Sequence, residues 1–272
     1  MAIWTPVVLA PFLTLRPRPL FKVFGISIAV WLIALHWTRE PSGLIFLPVH
    51  PKAIGDFRIV SLNCAAGEVG AAREAFAQNA DVVLLQEVGS RKEFEEAGKA
   101  AGYPAVSWSV DDAVFSRGAV DAPAKAIDFA AGTVMLGRTR LRAIALRLSP
   151  PVFRLDLYNP SCWENYASDA AMRRKRLKEI FVLAHLSEPC LLGGDFNATN
   201  PRLVTDSEPG FTEAGQSVGR TWRGTGTNDF PVVWTDQIWA SPEIRWTQSY
   251  VRKTQNSDHR MVVADFQIVG RT

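Results

Sequence analysis

Apolar and polar positions in this chain change in short, countable blocks. Residues 57–63 (FRIVSLN) and 81–86 (DVVLLQ) are dense in β-formers, the second apolar throughout, as in a strand buried on both faces. Residues 112–116 (DAVFS) make a short strand, and 190–195 (CLLGGD) another buried one. Strict alternation over 139–148 (TRLRAIALRL) and 152–158 (VFRLDLY) predicts two half-buried strands, expected to pair across Pro150-Pro151. Strands are also expected over 231–240, 245–251 and 261–268, and helices over 71–77, 91–101 and 168–186. Strands and helices alternate early and hairpins are added later. This predicts an α/β class fold, a sandwich of two packed sheets flanked by helices. No internal repeat or low-complexity segment interrupts it.

The N-terminal pattern is different. From Val23 to Trp37 there is no Asp, Glu, Lys or Arg. With Leu20, Phe21 and a snorkelling Lys22 the apolar stretch covers residues 20–37. A spanning helix needs about 17–25 residues, so this is a short transmembrane helix by length. Arg16, Arg18 and Lys22 flank its N-terminal side, while Arg39 and Glu40 offset each other on the other. The positive-inside rule then places a single-pass anchor in the membrane with the globular domain extracytoplasmic. A cleaved signal peptide and a buried hydrophobic helix are the alternatives. Pro41, Gly43, Pro48 and Pro51 mark a linker, giving an anchor-and-linker region over 1–53 and a globular domain over 54–272.

The formal net charge of +3 is concentrated at the N-terminus. Residues 1–53 hold Arg16, Arg18, Lys22, Arg39 and Lys52 against Glu40, leaving 25 basic and 26 acidic residues in 54–272. A near-neutral domain is a poor fit to duplex DNA, whose binding rests on many Lys and Arg contacts to phosphates. Cys64, Cys162 and Cys190 have neither C-x-x-C spacing nor a metal-ligand pattern.

Five clusters fall at predicted strand ends: Ser61-Leu62-Asn63, Leu85-Gln86-Glu87, Gly193-Gly194-Asp195-Phe196-Asn197, Thr235-Asp236-Gln237-Ile238 and Asn256-Ser257-Asp258-His259-Arg260. Each has an ordinary reading when taken singly. Glu87 can be a solvent-facing strand end, Asp195 and Asn197 an Asx turn, and Asp258-His259 a cap beside a surface histidine. Taken in order, they resemble the endonuclease/exonuclease/phosphatase superfamily. That group includes DNase I-like nucleases, abasic-site endonucleases, sphingomyelinases and inositol-phosphate phosphatases. The matching pieces are SLN, LLQE, GGDFN, TDQI and SDHR, with Ala113 to Arg117 similar to the family's short central strand.

The resemblance implies a four-layer α/β sandwich with the site at one edge of the two sheets, and a layout similar to membrane-anchored bacterial members. It implies hydrolysis of a phosphate ester by an activated water. Glu87, Asn63 and Asp258 would hold Mg²⁺ or Mn²⁺, whose preference is for hard oxygen ligands. Asp195 would deprotonate the water, Asn197 and His259 would contact the phosphate, and Asp236 would orient His259. Many members carry Asn-x-His after the strand taken here as 152–158. This chain reads Leu157-Tyr158-Asn159-Pro160-Ser161, so Tyr158 is the candidate phosphate donor in its place. A membrane location and a near-neutral domain point to a lipid-linked substrate, a phospholipid or a polyprenyl phosphate. An exported nuclease, supported by the basic run Arg173 to Lys178, and a catalytically inactive binding domain are the alternatives.

Overall fold

The computed structural model describes residues 25, 51–121, 129–150, 159–184, 188–198, 202–215 and 235–269. The chain divides into two units, Met1–Gly43 and Leu44–Thr272. The apolar stretch 20–37, Tyr158 and the expected strand 152–158 lie outside the described residues. Among the described residues no helix is long and apolar enough to cross a membrane.

The first sheet contains β1 (Phe57–Asn63), β2 (Val82–Gln86), β3 (Ala105–Trp108), β4 (Asp112–Ser116), β11 (Ile244–Arg252) and β12 (Met261–Ile268), in the order β11-β12-β1-β2-β4-β3. The second contains β5 (Val120–Asp121), β6 (Ala130–Leu136), β7 (Thr139–Arg147), β8 (Cys190–Asp195), β9 (Thr212–Glu213) and β10 (Asp236–Ala240), in the order β5-β6-β7-β8-β10-β9. Both are mixed: β1 runs parallel to β2 and β7 parallel to β8, and their other pairings are antiparallel.

Three apolar clusters define the layers. One lies between the sheets and holds Ile59, Leu84, Val114, Ala143, Leu191 and Ile238. A second packs the outer face of the first sheet on α1 (Val69–Phe76) and α2 (Arg91–Ala100), through residues such as Leu85, Ala72, Phe76 and Phe94. A third packs the second sheet on α3 (Pro160–Ala184) and α4 (Arg202–Thr205), through Ile144, Leu146, Leu177 and Phe181. The order is therefore helix, sheet, sheet, helix. Successive strand residues feed opposite clusters, as the two-residue period requires. Each fully buried Leu or Ile contributes about 1.5–3 kcal/mol to holding the layers together.

One expectation lies outside the described residues and one needs correction. The described partners of β7 are β6 on one edge and β8 on the other, while the 152–158 segment expected to pair with it is not among the described residues. The helix expected to begin at residue 168 begins at Pro160. Proline suits a first helical turn, where its missing N–H costs nothing. Asn159 Oδ1 accepts the Ser161 N–H at 3.1 Å just outside it.

Candidate active site

At one end of the sandwich the apolar rows between the sheets end in polar residues. On β1 the row Ile59, Ser61 ends at Asn63; on β2, Val82 and Leu84 end at Gln86; on β4, Val114 is preceded by Asp112. In the second sheet Leu141, Ala143 and Ala145 end at Arg147, Leu191 and Gly193 at Asp195, and Ala240 and Ile238 at Asp236. These residues are in register. Asn63 pairs with Gln86 and Gln86 with Asp112, while Arg147 pairs with Asp195 and Asp195 with Asp236. Two rows of three polar residues thus face each other across the sandwich.

Hydrogen bonds tie the rows together. Asn63 Nδ2 donates to Glu87 Oε1 at 2.8 Å and to Asp195 Oδ2 at 3.3 Å, bridging the two sheets. Asn63 Oδ1 is turned to the Ala65 N–H at 3.0 Å, so this side chain positions two carboxylates and directs its oxygen elsewhere. Glu87 Oε2 accepts the Ala66 N–H at 2.8 Å. This contact depends on a close loop crossing: a Cβ on Gly67 would lie 2.9 Å from Gly89 Cα. Ala65, Ala66, Glu87 and Asn197 all have positive φ (46°, 56°, 51° and 46°). Left-handed backbone costs about 1–2 kcal/mol per non-glycine residue, and such strain concentrates at functional sites.

Asp195 is buried. Its Oδ1 accepts the Asn197 N–H at 2.9 Å and its Oδ2 the Asn197 Nδ2 at 3.1 Å. Asn197 Nδ2 also donates to Leu148 O at 2.7 Å, so one amide hydrogen serves Asp195 and the other the Leu148 carbonyl. Burial, then the charge of Asp236, pushes the Asp195 carboxyl up to about 6; His259, the Asn197 N–H and Asn63 oppose them. His259 Nδ1 lies 2.9 Å from Asp236 Oδ2, which also accepts Thr235 Oγ1 at 3.0 Å. Burial alone would lower the imidazole. The Asp236 charge and hydrogen bond, with Asp195 and Asp258 behind them, instead raise it to about 10. The loop before β12 holds this histidine: Ser257 Oγ donates to Asn63 O at 2.7 Å and accepts the His259 N–H at 2.9 Å.

The structure joins Asn63, Glu87, Asp195, Asn197, Asp236 and His259 in one site. Asp258 is exposed and acts on His259 through its charge. Tyr158 is outside the described residues. The strand lying parallel beside β8 is β7, so the C-terminal neighbour of Asp195 is Arg147-Leu148-Ser149, again without histidine.

Arg147 is the residue that motif reading missed. Its Nε lies 2.9 Å from Glu87 Oε1, a charge contact without an aligned hydrogen bond. The signal was present in TRLRAIALRL: an arginine in phase with the inward row Leu141, Ala143, Ala145 must emerge where that row ends. Glu87 takes burial as its largest influence, upward. The Asn63 and Ala66 hydrogen bonds and the charges of Arg147 and His259 outweigh it, leaving the carboxyl below its usual range.

Among the described residues no group of three His, Cys, Asp or Glu gathers as a metal cage. The donor set at Glu87 nevertheless fits Mg²⁺, which keeps most of its waters and binds through one or two carboxylates plus substrate phosphate. Glu87 is about one-fifth exposed, its carboxyl is held below the usual range, and its neighbours are the Asn63 amide, the Ala66 N–H and Arg147, with the Cys64 thiol buried behind it.

Comparison with known proteins agrees with this geometry. The profile of the Endonuclease/Exonuclease/phosphatase family matches residues 60–259. No curated protein matches the chain. Among solved structures, an endonuclease/exonuclease/phosphatase from Beutenbergia cavernae DSM 12333 superposes with a TM-score of 0.60 at 19% identity, covering 79% of this chain and 72% of that one. The mannosyl-6-phosphatase of Bacteroides thetaiotaomicron VPI-5482 gives 0.57 at 14% identity, covering 77% of this chain and 99% of that one. Beta toxin from Staphylococcus aureus gives 0.58 at 12% identity, covering 76% and 99%. At these identities the likeness is one of fold. With the sequence match running from β1 to His259, it makes the chain a member of the endonuclease/exonuclease/phosphatase family.

Proposed function

We propose that this protein is a divalent-metal-dependent phosphoesterase that hydrolyses a lipid-linked phosphate ester at a membrane. One observation carries the catalytic part: two neighbouring groups have environments that drive them in useful directions. Asp195 is raised to about 6, so at neutral pH it is ionised yet basic enough to take a proton from water. His259 is raised to about 10 and is an imidazolium at the same pH, suited to a phosphate oxygen. Asp236 keeps that charge and fixes the ring. Asn63 and Asn197 hold the Asp195 carboxylate in one orientation. Glu87, with Asp258 nearby in sequence to His259, is the carboxylate that would hold Mg²⁺ or Mn²⁺. Such an ion supplies Lewis acidity at the phosphoryl oxygen and charge neutralisation at the leaving oxygen. The apolar stretch 20–37 and the near-neutral composition of 54–272 support anchoring and a lipid-linked substrate over nucleic acid.

The test uses the full chain in detergent micelles, with phosphate release from phospholipid and polyprenyl phosphate substrates measured in Mg²⁺ and in EDTA. Metal-dependent turnover is expected, and Asp195→Asn should lower kcat by about 10²–10⁴-fold, the usual weight of a general base. Equal activity in Asp195→Asn would sink the assignment. The nuclease reading rests on the exposed Arg174, Lys175 and Lys178 of α3. It predicts cleavage of DNA or RNA that weakens steeply with salt.

A further inference from the structure

Beside the catalytic residues lies a cavity of about 480 Å³ that the reaction described above does not use. Arg147 lines it and also contacts Glu87, so cavity and catalytic centre share a wall. Leu148 lines it too, with its carbonyl bonded to Asn197. On the far side α3 contributes Arg173 and Arg176. The carboxylates facing it are Asp111, which is exposed, and Asp112, which is 1% exposed.

One of these groups, Arg173, is buried with donor capacity to spare. Arg173 is 9% exposed, and among the described residues its one hydrogen-bond acceptor is Ser149 O at 3.2 Å. A guanidinium has five N–H donors, and a buried charge with so few partners is costly. Asp112 Oδ1 is buried with no partner among the described residues, while the carboxyl is otherwise met by Ser109 Oγ at 3.4 Å and by the backbone N–H and charge of Arg147. Arg176 is engaged elsewhere, with Glu179 at 3.0 Å and over the Phe129 ring. Burial and the Asp111 charge push the Asp112 carboxyl well above the aspartate range, against Ser109 and Arg147, which weakens its opposition to an anion beside the arginines.

We propose that this cavity is a subsite for a second phosphate carried by the same substrate, bound by Arg173 and Arg147. Planar guanidinium forks match phosphate oxygens in pairs. The substrate class is then a phosphate ester with a second phosphate, attached either directly as a pyrophosphate or elsewhere on the same alcohol. This deepens the phosphoesterase reading and rests on it for the identity of the scissile group.

Two measurements separate the ideas. The first is calorimetric binding of inorganic pyrophosphate to the full chain in detergent with EDTA, which involves no turnover. Pyrophosphate should bind at least tenfold tighter than inorganic phosphate. Arg173→Gln should weaken it about tenfold or more, Arg173→Lys should recover part of the loss, and the exposed neighbour Arg174→Gln should not change it. The second is kcat/KM for farnesyl pyrophosphate against farnesyl phosphate, and for an inositol bisphosphate against an inositol monophosphate. At least one doubly phosphorylated member should be preferred, and Arg173→Gln should erase that preference; the preferred pair identifies the attachment. Hydrolysis with no preference, together with unchanged pyrophosphate binding in Arg173→Gln, overturns the subsite. Tight, Arg173-dependent pyrophosphate binding without hydrolysis of any ester overturns the phosphoesterase reading and leaves the subsite standing.

Discussion

Asp195 and His259 have opposite duties set by their surroundings, and pH separates them. Asp195 must be ionised to act, so kcat/KM should fall about tenfold per unit as pH drops below about 6. A bound cation moves that limb lower, and raising Mg²⁺ should displace it in that direction. His259 must stay protonated, so activity should also decline as pH rises through about 10. In Asp236→Asn the imidazole loses its main support. Its titration, followed by NMR, should move down by one unit or more, carrying the alkaline limb with it. The same pair links folding to pH. Its folded value lies above the unfolded histidine value of about 6.5. The stabilisation is therefore complete below about 6.5 and lost as pH rises through 10. Urea midpoints measured between pH 6 and 10 should show a decline that Asp236→Asn lacks.

The strands and loops decide how closely these groups approach. The glycine pair before Asp195 has a mechanical reason: a Cβ on Gly194 would run into the Leu146 carbonyl of the neighbouring strand. Gly194→Ala should therefore push β8 from β7 and cost about 1–3 kcal/mol in urea denaturation, with Asp195 and Arg147 displaced together. The Gly67–Gly89 crossing plays the same part for Glu87. Element boundaries were readable wherever burial imposed a regular pattern. DAVFS and MVVADFQI are strands over the residues expected. Alternation over 139–148 reports a half-buried strand but says nothing about its partner. Both edges of β7 were claimed by segments distant in sequence or less regular in pattern, including the Gly132-containing β6.

The site exists only where two sheets meet, since Asn63, Gln86 and Asp112 come from one and Arg147, Asp195 and Asp236 from the other. Truncating the inter-sheet core should test this directly. Leu84→Ala is expected to cost about 2–5 kcal/mol. Activity and tryptophan fluorescence should still be lost in a single urea transition, whereas separate transitions would mean the site loosens before the fold. The motifs SLN, LLQE, GGDFN, TDQI and SDHR were legible in the chain because each is a local signal. A polar residue that ends a buried apolar run is conspicuous in one dimension, and five of them in order identify a family. The local signals could not say that Asn63 spends its amide on two carboxylates, that Asn197 is occupied with Asp195, or that Arg147 confronts Glu87. Those contacts join residues up to 132 positions apart. They depend on the register of two sheets and the distance between them, which are set by side-chain packing along every strand at once.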